Sequence, residues 1–285
     1  MKEKAHSVHK KTLKKHSRAH LTAWEKVQLA RHPQRPNATD YISRIFTDFL
    51  EIHGDRLFGD DPATTGGIAY LNEQPVFIFG QQKGRDTAEN IRRNFGMSHP
   101  EGYRKALRIF KMAEKFNKPV MAFIDTSGAF PGLGAEERGQ ASAIALNLME
   151  MAGLKVPIIA VVLGEGGSGG AIGIGVADKV LVMENAVYSV ISPEGCAAIL
   201  WKEREKIQQA AEVLKLTATD LLNLKVVDEI VPEPPGGAHL DYDLSAHNLK
   251  KALVKSLGHL VKLSPATLKA QRYHKFRAMG VFKEK

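Results

Sequence analysis

The sequence has a single cysteine, Cys196, among its 285 residues. One thiol cannot form a disulfide framework or a C-x-x-C metal site within the chain. Free cysteines are more often small buried side chains than nucleophiles, and we expect the same of Cys196. The sequence therefore predicts no metal site in this chain.

Long apolar runs are also missing. No segment approaches the roughly 18 apolar residues of a membrane span. The charged start of the chain is not followed by an apolar segment, which a secretory signal would require. These absences predict a cytoplasmic protein with no membrane partner.

Acidic residues are scarce at the start of the chain. The first 20 residues contain six Lys, one Arg and one Glu, so they supply +6 of the net charge of +9. A basic arm of this kind is able to attract nucleic acid or an acidic partner. We expect a solvated tail instead, and we divide the chain into a basic arm, residues 1–21, and one domain, residues 22–285.

Strands alternate with helices along that domain, which predicts an α/β fold with buried parallel strands. Two strands are expected around a turn at Asn72–Gln74, and a helix follows in "EGYRKALRIFKMAEKFN". Another helix is expected through "TDYISRIFTDFLEIHG", where Ile42, Ile45, Phe46 and Phe49 have helical spacing. The strands "PVMAFID" and "PIIAVVL" each lead into a glycine-rich loop and then a helix, and the C-terminus is expected to be helical.

The second glycine loop matches two short motifs. Gly164, Gly166 and Gly169 form G-x-G-x-x-G, with the acidic Glu184 twenty residues after the first glycine. This fingerprint normally follows the first strand of a dinucleotide-binding domain, whereas here several elements precede it. The short, small-residue helix after it also argues against a dinucleotide. No G-x-x-x-x-G-K-[ST] motif occurs, so a P-loop is absent.

The same loop contains G-x-S-x-G, centred on Ser168. A serine nucleophile needs a base, and the late histidines lie in no recognisable hydrolase context. A third interpretation needs only the backbone, because amides at the turn into a helix are able to stabilise an oxyanion. Spacing alone leaves this alternative balanced against glycines that merely permit close packing.

Longer segments resemble a known family. They include "LARHPQRP", "QQKGRDTAENIRRNFGM", "FIDTSGAFPGLGAEERGQ", "GEGGSGGA" and "YSVISPEGCAAILWK". From about Thr22 to the last helix, the sequence resembles the alpha subunit of acetyl-CoA carboxylase carboxyltransferase, the multi-subunit bacterial and plastid type. The resemblance implies a crotonase-like (ClpP/crotonase) fold, a spiral of ββα turns, here with a helical C-terminus.

The resemblance also implies an activity. Such enzymes transfer a carboxyl group from carboxybiotin, held on the biotin carboxyl carrier protein, to acetyl-CoA, and give malonyl-CoA for fatty acid synthesis. A beta subunit is implied to carry the CoA side and a zinc ribbon, in an alpha2beta2 assembly that works with biotin carboxylase. Zinc is thus expected only in the beta subunit. The alternatives are a stand-alone crotonase-type acyl-CoA hydratase or hydrolase and a non-catalytic scaffold paralogue.

Site residues follow from matching the loops to the family. The matched loop places a backbone oxyanion hole on the biotin side at Gly169, Gly170 and Ala171. The implied substrate-binding residues are those of the two loops and two nearby cations: Gly128, Ala129, Phe130, Pro131, Gly166, Gly167, Lys83 and Arg85. Lys83 and Arg85 are expected to attract CoA phosphates, with a solvated basic surface as the alternative.

Three departures from the family pattern bear on these expectations. The family loop usually reads DTPGAYPG, whereas Ser127 and Phe130 stand at the proline and tyrosine positions here. Both changes lie at the predicted wall of the site, so they bear on substrate preference. The family also usually begins with a longer helical hairpin, whose place the basic arm takes.

Overall fold

The structure is a computed structural model that describes residues 21–280, so nearly all of the predicted arm, residues 1–20, lies outside the described residues. Within that range, eight strands form one mixed sheet. The strands are β1 (Thr47–Glu51), β2 (Thr64–Leu71), β3 (Gln74–Gln81), β4 (Val120–Thr126), β5 (Ile158–Gly167), β6 (Lys179–Met183), β7 (Val187–Ser189) and β8 (Glu229–Val231).

The strand order along the sheet is β1-β2-β3-β4-β5-β6-β8, and β7 pairs with the end of β5. Strands β1, β2 and β3 pair antiparallel, and β2 and β3 form the predicted hairpin. All pairings from β3 to β8 are parallel. Every residue of β4 is buried, as is nearly all of β5, so the core follows these two strands. Strands buried on both faces are typical of a parallel sheet covered by helices.

Helices cover the sheet and fill its connections. They are α1 (Ala23–Ala30), α2 (Ala38–Ile45), α3 (Thr87–Arg92), α4 (Pro100–Lys115), α5 (Leu133–Glu137), α6 (Gln140–Gly153), α7 (Ser168–Ile172), α8 (Pro193–Leu200), α9 (Ile207–Val213), α10 (Ala218–Asn223), α11 (Tyr242–Leu260) and α12 (Pro265–Arg277). Within residues 21–280, no helix is both long and apolar enough to cross a bilayer.

The single helix predicted through Phe49 is wrong. Helix α2 ends at Ile45, Phe46 has an extended backbone, and the chain continues as β1. The apolar residues of this pattern are buried in the core as far as Phe46. Beyond it, β1 gains backbone hydrogen bonds to the neighbouring strand β2, and this pairing outweighs local helix propensity.

The second glycine loop is also shorter than predicted. Strand β5 continues through Gly167, because its last residues pair with β4 on one side and β7 on the other. The helix that follows, α7, ends at Ile172. The helix predicted after the first loop is divided into α5 and α6 at Gly139, which has a positive φ of 83°. A glycine adopts this left-handed conformation without steric cost.

The C-terminal helix is fastened to the core by a buried arginine. The Arg272 guanidinium donates to the carbonyls of Met151, Leu154 and Val156 and to the Asp178 carboxylate, at distances of 2.7–3.1 Å. Its exposed fraction is only 1%. The buried charge is thus paired and hydrogen-bonded, as burial of a charge requires.

Candidate active site

The two predicted glycine segments meet at one edge of the sheet. Strands β4 and β5 are parallel neighbours, with Thr126 paired to Gly166, so their carboxyl ends lie side by side. The first glycine segment, residues 127–132, follows β4. The second glycine segment, residues 164–171, forms the end of β5 and the start of α7. Ligands commonly bind at such an edge in α/β sheets.

The two segments contact each other through their backbones. A Cβ atom placed on Gly167 would lie 2.1 Å from the Ser127 carbonyl oxygen. A Cβ on Gly170 would lie 2.4 Å from the Gly128 carbonyl carbon and 2.6 Å from the Ala129 nitrogen. Real Cβ atoms do not approach backbone this closely, so glycine is required at both positions. The fold thus brings Gly170, Gly128 and Ala129 together.

Helix α7 starts within this contact. Its N-cap residue, Gly167, has no side chain to accept a hydrogen bond from the first turn. Gly169 and Gly170 occupy the second and third helical positions, where amides have no acceptor within the helix. Ala171, the third predicted donor, follows them and is fully buried. These amides form the candidate oxyanion site, and their catalytic role stays a prediction.

Ser168 marks the change from strand to helix. Its φ of 50° lies in the left-handed region, which is uncommon for residues other than glycine. Its side chain is exposed, and the hydrogen bonds of residues 21–280 include none to its hydroxyl. His239, one of the histidines that a serine nucleophile would recruit, instead stacks on His32 with ring centroids 3.9 Å apart. The local geometry supports a strained turn, with no base attached to the serine.

A cluster of charges lies next to the two segments. Lys83 Nζ is 2.8 Å from Asp125 Oδ1 and 2.9 Å from Glu165 Oε2, and Arg31 Nε is 2.6 Å from Glu165 Oε1. Burial disfavours ionisation of Glu165, but Lys83 and Arg31 outweigh it and lower the pKa of its carboxyl group. The Glu165 amide also donates to Asp125. The cluster therefore joins the ends of β4 and β5 and lines a cleft of about 450 Å³.

The two predicted phosphate-binding cations already have partners in the chain. Lys83 belongs to the charge cluster, where Asp125 and Glu165 raise its pKa against the opposing effect of burial. Arg85 pairs with Asp40 and donates to the Tyr242 hydroxyl at 2.9 Å. The binding of CoA phosphates by Lys83 and Arg85 stays a prediction. It requires each cation to bind phosphate while it is also paired with a carboxylate of this chain.

The predicted wall, residues 128–131, is ordered by packing and hydrogen bonds. The Phe130 ring packs on His99 with centroids 4.1 Å apart, and burial lowers the pKa of His99. Ala129, Phe130 and Pro131 line a cavity of about 500 Å³ together with the start of α6. Ser168 and Gly169 of the second segment line a more apolar cavity of about 380 Å³. Each glycine segment thus lines a cavity of its own.

Sequence reasoning missed three buried amide side chains beneath the site. Each donates to a backbone carbonyl of a glycine-rich stretch: Gln81 to Gly170 at 2.7 Å, Gln140 to Phe130 at 3.0 Å, and Asn147 to Gly173 at 3.0 Å. Their partners are 89, 10 and 26 residues away along the chain. Of these three residues, only Asn147 gave a signal in the sequence, because it is a polar residue within a helical run of small and apolar residues.

Comparison with known proteins identifies the family. A family model described as acetyl co-enzyme A carboxylase carboxyltransferase-like matches residues 1–280. An acetyl-coenzyme A carboxylase carboxyl transferase subunit alpha from Geobacillus sp. (strain WCH70) is 60% identical over 264 residues, covering 93% of this chain and 81% of that protein. The chain belongs to the acetyl-CoA carboxylase carboxyltransferase alpha-subunit family. An alpha subunit from Thermus thermophilus is 57% identical over 272 residues, covering 95% of this chain and 87% of that one.

Solved structures confirm the predicted crotonase-like carboxyltransferase fold for this alpha-subunit family member. Transcarboxylase 12S, at 19% identity, superposes with a TM-score of 0.66 over 82% of this chain, which spans only 44% of that longer chain. The Pseudomonas malonate decarboxylase heterodimer, at 14% identity, gives a TM-score of 0.62 and covers 75% of this chain and 88% of its own. At these identities the likeness concerns the fold alone.

Proposed function

We propose that this chain is the alpha subunit of the carboxyltransferase component of acetyl-CoA carboxylase. Together with a beta subunit, it would transfer the carboxyl group of carboxybiotin, carried on the biotin carboxyl carrier protein, to acetyl-CoA. Family membership supports this reaction. The contact between the two glycine segments, with Gly170 against Gly128 and Ala129, is the observation that carries the site assignment.

The reaction explains why a site made of backbone suffices. Carboxybiotin, when bound, would supply the carboxyl group as carbon dioxide, and its ureide would accept the proton that the acetyl methyl group loses. The enolate carbon of acetyl-CoA would then attack carbon dioxide to form malonyl-CoA. Negative charge develops on two oxygens, those of the ureide and of the thioester enolate.

The chain's part in this sequence is to stabilise the first of these oxyanions. We assign that role to the amides of Gly169 and Gly170, which lack acceptors within α7, with Ala171 beside them. Removing one such donor typically slows an enzyme by about 10²–10³-fold. Closely packed glycines also leave no space for water at their contact, which strengthens each remaining electrostatic interaction.

The second half of the site is proposed to lie on the beta subunit, with CoA and the zinc ribbon. We also propose an alpha2beta2 assembly. The biotin carboxyl carrier protein would move between this assembly and biotin carboxylase. The relatives are named as alpha subunits, which supports a partner chain in general terms. A stand-alone hydratase would need acidic side chains at the CoA loop, and the Glu136–Glu137 pair is a poor candidate because it belongs to the short helix α5, where an acidic residue in the first turn favours helix formation.

The test is the reverse reaction with purified subunits. Malonyl-CoA and biocytin should give acetyl-CoA when this chain is mixed with its beta subunit, and neither chain alone should do so. Full transfer by the isolated chain would contradict a shared site. Hydration or hydrolysis of acyl-CoA by the chain alone would favour the stand-alone enzyme. An assembled complex that transfers equally well after Gly170→Pro would favour the scaffold, because proline has no N–H to donate.

A further inference from the structure

We propose that Gln81 is a positioning residue for the carboxyl transfer, because its side-chain amide joins the end of β4 to the first turn of α7. This inference rests on the proposed function. Gln81 is the last residue of β3 and is fully buried, with 0% exposure. Its Nε2 donates to the Gly170 carbonyl at 2.7 Å, and its Oε1 accepts from the Asp125 amide at 3.2 Å.

The two partners fix the orientation of this amide. One is a carbonyl and the other an N–H, so only one arrangement of the Gln81 oxygen and nitrogen satisfies both. Each partner adjoins one half of the site. The Gly170 carbonyl shares its peptide plane with the amide of Ala171, the third residue of the proposed oxyanion site, and Asp125 binds Lys83 and the Glu165 amide. The Gln81 side chain therefore couples the peptide plane between Gly170 and Ala171 to the charge cluster.

The position of Gly170 depends strongly on this hydrogen bond. The Tyr103 hydroxyl also donates to the Gly170 carbonyl, but at 3.4 Å, which makes it the weaker of the two contacts. On the opposite side, Gly170 rests against Gly128 with no room for adjustment. Gln81 holds the glycine against that contact. A displacement of about 1 Å at a reacting group is able to cost about 100-fold in rate.

The neighbouring Gln82 offers a matched control. It is also buried, with 1% exposure, and it also makes one donor and one acceptor bond to backbone. Its Nε2 donates to the Lys83 carbonyl at 2.8 Å, and its Oε1 accepts from the Thr39 amide at 3.0 Å. Gln82→Met thus removes the same chemistry from the same strand end without touching Gly170 or Asp125.

The first experiment compares Gln81→Met with Gln82→Met in the assembled complex, using the reverse assay. Gln81→Met should lower kcat and kcat/KM for biocytin together by about tenfold or more, which is the pattern for an interaction used in the transition state. The KM for malonyl-CoA should stay within about twofold, and Gln82→Met should keep kcat within about twofold. Gln81→Leu is the second variant and should lose kcat in the same way, since a leucine side chain neither accepts from Asp125 nor donates to Gly170.

The second experiment does not depend on activity. Amide hydrogen exchange, followed by mass spectrometry of peptides covering residues 166–172, should be about tenfold faster in Gln81→Met than in the parent or Gln82→Met. An assembled Gln81 variant with parental kcat, or equal losses in both Met variants, would overturn the positioning role, as would unchanged exchange. A parent complex without any transfer would instead overturn the proposed function, and the exchange result would still decide on Gln81.

Discussion

The two glycine segments serve one site but are shaped by different forces. In the first segment, side chains hold the backbone: Thr126 Oγ1 donates to the Gly128 carbonyl at 2.6 Å, and Gln140 donates to that of Phe130. A Cβ on Gly128 would meet no atom within 4 Å. In the second segment, Gly167 and Gly170 lie so close to the backbone of the first segment that neither has space for a Cβ, and the Gln81 side chain adds one hydrogen bond, to Gly170.

The difference indicates where sequence variation is tolerated. Contacts made by side chains are replaceable one at a time, whereas a backbone contact that excludes a Cβ fixes the residue type. Both departures from the usual family loop, Ser127 and Phe130, fall in the first segment. We expect substrate preference to be tuned there, and the second segment to vary little.

The largest expected effect is a difference between substitutions at two adjacent glycines of the second segment. Gly170→Ala places a methyl group 2.4 Å from the Gly128 carbonyl carbon, so the segments must move apart. We expect transfer in the reverse assay to fall by at least about 100-fold. Gly169→Ala meets only Ile144 Cδ1, at an ordinary 3.7 Å. It should keep the parental melting temperature and mainly raise the KM for biocytin.

Complex formation must be shown by gel filtration before either loss is interpreted. Equal losses of activity and stability in the two alanine variants would remove the distinction between crowded and open glycines. A rise in the KM for malonyl-CoA with an unchanged KM for biocytin would place the second segment on the CoA side instead.

Thr126→Val tests the side-chain support of the first segment. Valine has nearly the same shape but leaves the Gly128 carbonyl and amide without the Thr126 hydroxyl. An unsatisfied buried polar group costs about 1–3 kcal/mol. The melting temperature should fall by roughly 2–4 °C for each kcal/mol lost, measured by calorimetry, and Thr126→Ser should restore it. Stability equal to the parent's would show that the Thr126 hydroxyl does not support the first segment.

These forces explain what the sequence did and did not predict. The alternation of strands and helices and the glycine-rich turns follow from local patterns, whereas the placement of the first segment opposite the second came from the resemblance to the family. The hydrogen bonds of Gln81 and the cluster of Lys83, Asp125 and Glu165 join residues that are distant in the chain. Such long-range pairs leave no periodic signal. The end of α2 was misplaced for a related reason, because pairing with β2 decided it.

Asp61, which lies next to the first segment, is expected to make the stability of the protein depend on pH. Its buried carboxyl group accepts from the amides of Ala63 and His99, and the His99 ring packs on Phe130. Burial raises the pKa of Asp61 from 3.8 to about 7. The folded state therefore holds this proton more tightly than the unfolded state between these values. The free energy of unfolding should fall as pH rises from about 4 to about 7, by about 1 kcal/mol per pH unit, and then level off.

Asp61→Asn cannot ionise, so it should lack this slope whatever its absolute stability. Urea unfolding at several pH values between about 4 and 8 measures the slope directly. A parent and a variant with the same pH dependence would show that Asp61 does not titrate in this range.

The smallest expected effect concerns Ser168, the residue of the second segment whose backbone is strained. Ser168→Ala should keep transfer within about threefold, because the proposed donors are amides. Ser168→Gly should stabilise the chain by up to about 1 kcal/mol, since glycine adopts a φ of 50° without strain. Calorimetry and the reverse assay check both. Labelling of Ser168 by a serine-directed covalent probe, with loss of activity in Ser168→Ala, would make the serine a nucleophile after all.

The buried Arg272 has a consequence for how the protein is made. A ribosome releases the chain from its N-terminus, so the carbonyls of Met151, Leu154 and Val156 emerge more than a hundred residues before their donor. Until α12 leaves the exit tunnel, these acceptors and the Asp178 carboxylate lack their guanidinium partner. The nascent domain therefore stays incomplete until α12 has emerged.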